Sequence, residues 1–224
     1  MVRGVDERIL RRAVQAGFVL EPEVVKELTQ YVELLFRWNR RMNLTALTDD
    51  DTGIDRLVIE PLAAAQLLPE GRIAVVDIGS GGGSPAIPMK LIMPTTVLRM
   101  VESKVRKGAF LKEVVRQLGL RDTEVLTCRC EELVGREEIH EVTDVVTVRG
   151  VRVDSRMLQV LTGLVREGGT VLLFRGALDQ AFSPENCLPL QYFGTYPLVD
   201  SLKSYLTVLT KAKKKRINDI DPIA

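Results

Sequence analysis

Residues 75–88 read VVDIGSGGGSPAIP and join a short apolar run to four glycines within five positions, at Gly79, Gly81, Gly82 and Gly83. Glycine reaches positive φ and carries no side chain, so the main chain can turn tightly and lie directly against a ligand. Two prolines follow where a helix would begin, and a missing amide donor costs least in the first helical turn. The segment therefore predicts a strand, a ligand-binding turn and a helix.

Short apolar runs alternate with helical segments from about residue 72 onward. Strands that are buried on both faces have continuous apolar sequences, and their alternation with helices indicates a parallel sheet. We therefore predict an α/β, Rossmann-like fold whose sheet is mostly parallel. Turn residues between LPLQYFGTYPL and YLTVLTKA predict a terminal antiparallel hairpin. The predicted strands are Ile73–Ile78, Val97–Val101, Glu124–Thr127, Val142–Val148, Thr170–Phe174 and Leu206–Thr210.

Residues 5–65 have a helical pattern instead. One apolar stripe recurs at three- and four-residue steps, through Leu28, Tyr31, Val32, Leu35, Trp38 and Met42. Pro22 is placed as a first helical residue, and Asp49–Gly53 is predicted as a polar break between helices. The predicted domains are a helical region at 1–65, a Rossmann-like domain at 66–216 and a tail at 217–224.

Composition restricts the possible partners. The net charge is +1, so any attraction to a polyanion must come from a local cluster of charge. Three cysteines without zinc-like spacing favour reduced thiols, and no apolar run approaches the roughly 20 residues of a membrane span. The region after Met1 lacks the apolar core of a signal peptide. We expect a cytoplasmic protein, a monomer, with no metal and no membrane.

The glycine pattern distinguishes between nucleotide ligands. A dinucleotide fingerprint starting at Gly79 fails because Ser84 occupies its last glycine position, and a frame from Gly81 begins two residues further from the strand. The segment has no lysine for a phosphate. S-adenosylmethionine carries no phosphate, and Asp77 at the strand end is an acid that an ammonium group could use. This cofactor is therefore favoured.

Two later strand ends support a nucleoside site. Glu102 follows Gly83 by nineteen residues, close to the spacing of about 20 at which an acid binds ribose hydroxyls. After the next strand the sequence CRCEEL places Cys130 and Glu131 where an adenine would lie. The other interpretation of Cys128 and Cys130 is packing at a strand end, which is more common than metal binding for an isolated C-x-C pair.

With these motifs in place, the chain resembles the 16S ribosomal RNA guanine-N7 methyltransferases, also called the glucose-inhibited division protein B family. The resemblance covers nearly the full length and is most specific at FRWNRRMNLTAL, VVDIGSGGGSPAIPMKL, KGAFLKEVVRQLGL, VTVRG and LKSYLTVLTK. It implies methylation of 16S ribosomal RNA in the small subunit, with catalysis at Arg149. It also implies a cofactor site at Gly79, Ser84, Cys130, Glu131 and Arg149, with Glu102 in the place of the ribose-binding acid. The glycine pattern adds Gly81 and Gly83 to the predicted cofactor-binding residues.

The chain departs from the family pattern at several positions. Ser84 replaces a bulky apolar residue, Leu57 a histidine, Glu60-Pro61 an Asp-Ser pair, and Gly150 an alanine. Two alternatives therefore stay open: an inactive family member that binds RNA or the ribosome, and a methyltransferase with another substrate. A dinucleotide-dependent dehydrogenase is a more distant alternative.

Methylation at guanine N7 suits these residues because N7 carries a free lone pair and needs no base to deprotonate it. His140, in a polar stretch, is expected to be an exposed residue. Arg149 and Arg175 end strands and should point into the cleft, where Arg149 either contacts the ligand or holds Glu131. Asn39 and Asn43 either contact RNA or fix the helical region to the sheet. Two basic tracts are candidates for phosphate contacts: Lys104, Arg106, Lys107, Lys112 and Arg116 on one helix, and Lys211–Arg216 after the last strand. The alternative for the second tract is a solvated tail.

Overall fold

A computed structural model describes residues 4–176 and 184–213 and contains a seven-stranded sheet in the order β3-β2-β1-β4-β5-β7-β6. Strands β1 to β5 run parallel, and β7 inserts antiparallel between β5 and β6. The predicted α/β fold and the terminal hairpin are confirmed. The strands are β1 Ala74–Ile78, β2 Val97–Val101, β3 Thr123–Leu126, β4 Thr143–Arg149, β5 Val165–Arg175, β6 Gln191–Pro197 and β7 Tyr205–Thr210.

The strand order changes direction at β1, which lies between β2 and β4. In an open α/β sheet the loops diverge at such a point and leave a crevice beyond the carboxyl ends of the strands. The segment of four glycines follows β1 directly, so it opens into this crevice. The glycine segment thus lies at the edge of the sheet where open α/β folds bind their ligands.

Helices cover both faces of the sheet. Helix α2 begins at Pro22, as predicted, and buries the stripe that includes Leu28, Tyr31 and Leu35. Helix α6 ends at Gln117, with Leu118 as its C-cap, and Gly119 follows with a φ of +60°. The helices are α1 Val5–Gln15, α2 Pro22–Met42, α3 Asp51–Ile54, α4 Glu60–Ala65, α5 Ala86–Ile92, α6 Val105–Gln117 and α7 Ser155–Leu164.

The predicted polar break at Asp49–Gly53 is only partly confirmed, because helix α3 begins at Asp51, inside this segment. Asp50 caps α3 by accepting a hydrogen bond of 2.8 Å from the Gly53 amide. The chain then continues through a π-helical turn at Asp55–Ile59 into α4. This insertion rotates the following residues, and π-turns are frequent near functional sites.

Three ion pairs fasten α1 to this segment. Arg8 pairs with Asp49, and Arg11 pairs with Asp51 at 2.7 Å. Arg12 pairs with Asp55, whose carboxylate is almost fully buried and also accepts a hydrogen bond of 2.7 Å from Ser201. Each of these arginines on α1 therefore has a carboxylate partner.

One hydrophobic cluster crosses the predicted domain boundary at residue 65. It contains Leu28 and Leu35 from α2 together with Val75, Leu98 and Val145 from the sheet. A second cluster covers the opposite face beneath α7. The helical region is thus packed on the sheet, while the predicted tail at 217–224 lies outside the described residues.

The largest difference from the predicted strands is at β5. It begins at Val165, immediately after α7, whereas the sequence placed its start at Thr170. The residues between Val165 and Thr170 are charged or glycine, with Gly168 and Gly169 last, so the first part of the strand could not be distinguished from a loop. Among the described residues, no helix combines the length and the apolar character needed to cross a lipid bilayer.

Candidate cofactor site at the carboxyl edge of the sheet

A cavity of about 230 Å³ lies at the carboxyl ends of β1, β2 and β3. This volume is below the roughly 300–1,000 Å³ of pockets for drug-sized ligands, so it suits a nucleoside part of a ligand. The loops after four strands supply its walls. The lining residues are Ile78, Gly79, Val101, Ser103, Cys128, Arg129, Cys130, Glu131 and Val151.

Gly79 lines the cavity at the end of β1. Its amide and that of Ser80 both donate to the carbonyl oxygen of Val101, at 2.9 and 3.1 Å, which fastens the turn to the end of β2. Gly79 has a φ of +72°, and a Cβ there would lie 2.5 Å from the side chain of Val151. Only glycine therefore fits at this position.

The other three glycines have different neighbours. A Cβ at Gly83 would collide with the side chain of Ile87, and one at Gly82 would lie 3.1 Å from Leu35. At Gly81, with a φ of +52°, the nearest atoms to such a Cβ are 3.6 Å or more away. Packing within the protein thus explains Gly82 and Gly83, whereas Gly81 leaves room above the main chain.

Glu102 joins the glycine turn to the start of α6. Its Oε2 accepts a hydrogen bond of 3.0 Å from the Gly81 amide, and its Oε1 accepts one of 2.7 Å from the Lys104 amide. The residue is only 6% exposed, so the carboxylate is held in one orientation. Because a carboxylate oxygen has two lone pairs, both oxygens can still accept a hydroxyl.

Cys130 and Glu131 lie in the cavity wall, as predicted, in a short 3₁₀ turn after β3. Burial, followed by the neighbouring Glu131 carboxylate, raises the pKa of Cys130 to about 11. Its thiol is therefore neutral near pH 7 and lies 3.4 Å from the Glu131 carboxylate. The backbone amide of Glu131 is the main cause that lowers the pKa of its carboxyl group, so the wall combines a neutral thiol with an anion.

Ser84 does not line the cavity. Its hydroxyl is buried and donates a hydrogen bond of 2.9 Å to the carbonyl oxygen of Leu57 in the π-helical turn. The side chain thus connects the glycine turn to the helical region. A role of Ser84 in cofactor binding remains a prediction.

Arg149 is bound to the helical region. Its Nη1 donates to the carbonyl oxygen of Arg56 at 2.6 Å and lies 3.4 Å from Glu60 Oε2. The second Glu60 oxygen accepts a 2.7 Å hydrogen bond from Arg56. The acid that pairs with Arg149 is thus Glu60, which the sequence did not indicate, and no ion pair with the expected Glu131 is found among the described residues. Burial lowers the pKa of the Arg149 guanidinium, and the Glu60 carboxylate opposes that effect.

Asp77 is buried beneath the glycine turn. One of its oxygens accepts a 2.5 Å hydrogen bond from Thr147 on β4, and Oδ2 has no partner among the described residues. Burial is the main cause that raises the pKa of this carboxyl group. At 1% exposure Asp77 lies outside the cavity walls, so the structure does not bring it to the candidate ligand.

Two residues of α2 support the glycine turn, and the sequence did not reveal this. The hydroxyl of Tyr31 donates a 2.7 Å hydrogen bond to the carbonyl oxygen of Gly82, and Leu35 packs against the same glycine. The apolar stripe placed both residues on the buried face of a helix. A buried tyrosine hydroxyl needs a polar partner, which was the available signal, but the pattern does not identify that partner.

Several other candidates have structural roles. Lys211 donates to Glu141 at 2.5 Å and to two carbonyl oxygens at the end of α7, while residues 214–216 of its tract lie outside the described residues. Asn39 accepts a 2.9 Å hydrogen bond from the Thr45 amide and so closes the turn after α2. His140 is exposed, as expected. No cluster of three metal-binding side chains occurs at 4–176 or 184–213.

The residues at this edge fit S-adenosylmethionine. Glu102 retains lone pairs for two ribose hydroxyls, and the backbone at Gly81 is uncovered. The adjoining cavity has apolar walls and an anion that can accept a hydrogen bond from an adenine amino group. The site thus provides close backbone approach and a sugar-binding acid.

Comparison with known proteins agrees with this arrangement. The model of the family described as rRNA small subunit methyltransferase G matches residues 24–185. A protein of that name from Dichelobacter nodosus is 32% identical over 94% of this chain and 96% of its own length. Another, from Roseiflexus sp. (strain RS-1), is 36% identical over 76% of this chain and 73% of its own length.

Solved structures share the fold at low sequence identity. One is a SAM-dependent methyltransferase from Aquifex aeolicus, which superposes with a TM-score of 0.54 at 12% identity and covers 69% of this chain and 90% of that one. Such a similarity supports the architecture of the sheet and its helices.

Proposed function

Because the chain belongs to the rRNA small subunit methyltransferase G family, we propose that it transfers a methyl group from S-adenosylmethionine to N7 of a guanine in 16S ribosomal RNA. The observation that carries this proposal is Glu102. Its carboxylate is buried, is oriented by the Gly81 and Lys104 amides, and lies where the glycine turn meets the crevice of the sheet. An acid held in this way is suited to bind the sugar of a nucleoside.

Different residues around the cavity bind different parts of the cofactor. Glu102 accepts from the ribose hydroxyls, while Gly79 and Gly81 let the ligand lie on the main chain. Cys130 and Glu131 contact the adenine. S-adenosylmethionine, when bound, supplies a methyl group activated by a sulfonium centre. We retain Gly83 and Ser84 as residues that shape the turn, since their neighbours are Ile87 and Leu57.

Methyl transfer to N7 requires no proton to be removed first, because the nitrogen lone pair is free in guanine. Among the described residues, none of those that line the cavity is a histidine, and the Cys130 thiol is protonated near pH 7, which agrees with catalysis by positioning and exclusion of water. Arg149 is fixed through Nη1, and its Nε and Nη2 have no partner among the described residues. We assign these atoms to the reactive end of the ligand or to the guanine.

The RNA must present its guanine from an unpaired segment, since a base in a helix is inaccessible to the reactive atoms. Lys104 and Arg106 are exposed at the start of α6, beside Glu102, and can bind the adjacent phosphates. We assign the substrate to the small ribosomal subunit and the protein to the cytoplasm, as a monomer. Sedimentation of the free protein tests the monomeric state.

One observation favours a second candidate function, an RNA-binding protein without methyl transfer. Ser84 and Arg149, both implied by the resemblance to contact the cofactor, have protein partners in Leu57 and Glu60. Calorimetry with S-adenosylhomocysteine separates the candidates, because the enzyme should bind it with micromolar affinity, about −8 kcal/mol.

Methyl transfer is tested with labelled S-adenosylmethionine and small subunits that lack the modification. The proposal expects one labelled nucleotide that maps, by cleavage at N7-methylguanine and primer extension, to a single guanine of 16S ribosomal RNA. Label at another atom would indicate a different substrate. RNA binding without label would favour the second candidate.

A further inference from the structure

The carboxyl-terminal part of α2 carries three exposed arginines, Arg37, Arg40 and Arg41. We call them the α2 arginine surface. None of the three makes an ion pair or a side-chain hydrogen bond at residues 4–176 or 184–213. The three arginines of α1, by comparison, each pair with an aspartate. The arginines of α1 are therefore neutralised by aspartates, whereas those of the α2 arginine surface have no such partner among the described residues.

Helix energetics do not explain this placement fully. Arg40 and Arg41 lie in the last turn, where cations interact favourably with the helix dipole. Arg37 lies one turn earlier, and its spacing of four residues from Arg41 puts two like charges side by side, which destabilises a helix. With an overall charge of only +1, such a local cluster indicates attraction to an anionic partner.

The α2 arginine surface lies on the helix that supports the glycine turn. Tyr31 and Leu35 of the same helix contact Gly82, and Arg41 follows Leu35 by six residues, or about 9 Å along the helix axis. Trp38 packs on Phe110 of α6 with ring centroids 5.6 Å apart. The arginines therefore project from an element that is fixed to the glycine turn.

Helix α6 continues the positive surface toward the turn. Lys107, one turn before Phe110, has its Nζ 4.0 Å from the position of a Cβ on Gly81. Cationic side chains thus occur on both of the helices that pack through Trp38 and Phe110, and Lys107 lies beside the glycine turn. A flexible polyanion that reaches the crevice would meet cations on both helices.

We propose that Arg37 and Arg41 of the α2 arginine surface bind phosphates of the unpaired RNA segment that leads to the target guanine. This inference rests on the proposed function and assigns part of its RNA contact to the helical region. Arginine suits the role because its planar guanidinium binds phosphate oxygens with two parallel hydrogen bonds. Such contacts position the RNA without reading its sequence.

The test compares two double variants that each remove two positive charges. Arg37→Gln/Arg41→Gln alters the proposed surface, and glutamine has nearly the helix propensity of arginine. The control, Arg72→Gln/Arg121→Gln, alters exposed residues that precede β1 and β3, at the opposite edge of the sheet. Binding of purified 16S ribosomal RNA is measured over a range of salt concentrations, together with S-adenosylhomocysteine binding and thermal unfolding.

For Arg37→Gln/Arg41→Gln we expect RNA binding to weaken about tenfold, with a salt slope smaller by roughly 1–2, because two phosphate contacts are lost. S-adenosylhomocysteine binding and the unfolding midpoint should stay at the parent values. The control should retain the affinity and the slope of the parent. Unchanged RNA binding by the α2 variant, or an equal loss in the control, would overturn the inference.

Failure of the proposed function gives a different result. If the parent protein transfers no methyl group to small subunits but loses RNA affinity through Arg37→Gln/Arg41→Gln, the surface is supported and the activity is not. If the parent methylates N7 and the α2 variant does so with the same KM, the activity is supported and the surface is not.

Discussion

The guanidinium of Arg149 lies 3.4 Å from the carboxylate of Glu60, so the carboxyl end of β4 is bound to α4. Glu60 is 1% exposed and also accepts from Arg56, which leaves its charge compensated on two sides. The contact fixes a strand end at the candidate site through a residue of the helical region. Stability and site geometry should therefore respond together when it is lost.

Glu60→Ala should lower the free energy of unfolding by about 2–4 kcal/mol, because it leaves the largely buried Arg149 without its carboxylate. Denaturant unfolding followed by circular dichroism measures the change. Asp122→Asn is the control: it breaks an exposed pair with Arg72 and should cost less than about 1 kcal/mol. Equal effects of the two substitutions would contradict the role given to Glu60.

Glu102→Gln should weaken S-adenosylhomocysteine binding by about tenfold to a hundredfold, because an amide group is a poorer acceptor for ribose hydroxyls and for the Gly81 and Lys104 amides. Isothermal titration calorimetry gives the affinity. Glu124→Gln, at an exposed acid on β3, should leave it unchanged. Retained affinity in the Glu102 variant would remove the assignment of the sugar-binding acid.

Two glycines of the turn should respond differently to alanine. Gly83→Ala should lower stability by at least about 2 kcal/mol, because a Cβ collides with Ile87 and the φ is +92°. Gly81→Ala should cost only about 1–2 kcal/mol of backbone strain but should weaken S-adenosylhomocysteine binding about tenfold or more, since its Cβ would occupy the space assigned to the ligand.

Gly119→Ala is the matched control for Gly81, because its φ of +60° is similar and nothing lies within 4 Å of a Cβ there. It should cost similar stability without any effect on ligand binding. If Gly81→Ala bound the ligand as tightly as Gly119→Ala does, the turn would not be in contact with the cofactor.

Asp77 should make stability depend on pH. Burial raises its pKa above the ordinary value of 3.8, so the folded chain favours the protonated form. Its contribution to stability is complete below the pKa of the unfolded chain and is lost as the pH rises through the folded pKa. Asp77→Asn stays neutral, so the stability of the variant relative to the parent should increase as the pH rises above the ordinary carboxyl pKa of 3.8.

Denaturant unfolding at several pH values provides the comparison for Asp77→Asn. Asp122→Asn, at an exposed aspartate, should show no such increase relative to the parent. A relative stability of the Asp77 variant that decreases with pH would show that folding stabilises the ionised carboxylate and lowers its pKa, against the effect assigned to burial.

The parallel strands were predictable because burial on both faces leaves a continuous apolar run. β2 has the bounds that its sequence indicated, Val97–Val101. Glu102 was predictable for the same reason, since the end of a clear strand fixes the next side chain at the carboxyl edge. Gly168 and Gly169 concealed the start of β5, because their sequence is typical of a loop.

The support of the site by the helical region was not predictable. Tyr31 contacts Gly82 across 51 positions, and Arg149 contacts Glu60 across 89. Periodicity indicates which face of a helix is buried but not what covers it. Glu60 did offer a signal, since an acid inside the apolar stretch LVIEPLAAA requires a buried cation, although several arginines could have supplied it.

The four glycines of the turn suggested contact with a ligand as their common cause, but the structure shows different surroundings for each of them. Leu35 and Ile87 occupy the space beside Gly82 and Gly83, whereas Gly81 remains open. Close packing between a turn and its neighbouring helices selects glycine as strongly as a cofactor does. Both causes select glycine, so the sequence alone cannot distinguish them and the structure is needed.

The hydrophobic cluster that joins α2 to the sheet also limits how the chain can be divided. A fragment starting at residue 66 would lose the α2 members of this cluster, Leu28 and Leu35 among them, and the hydroxyl that Tyr31 provides to the carbonyl of Gly82. Such a fragment should aggregate rather than fold into a smaller enzyme. The amino-terminal helices and the sheet that they cover thus form one folding unit.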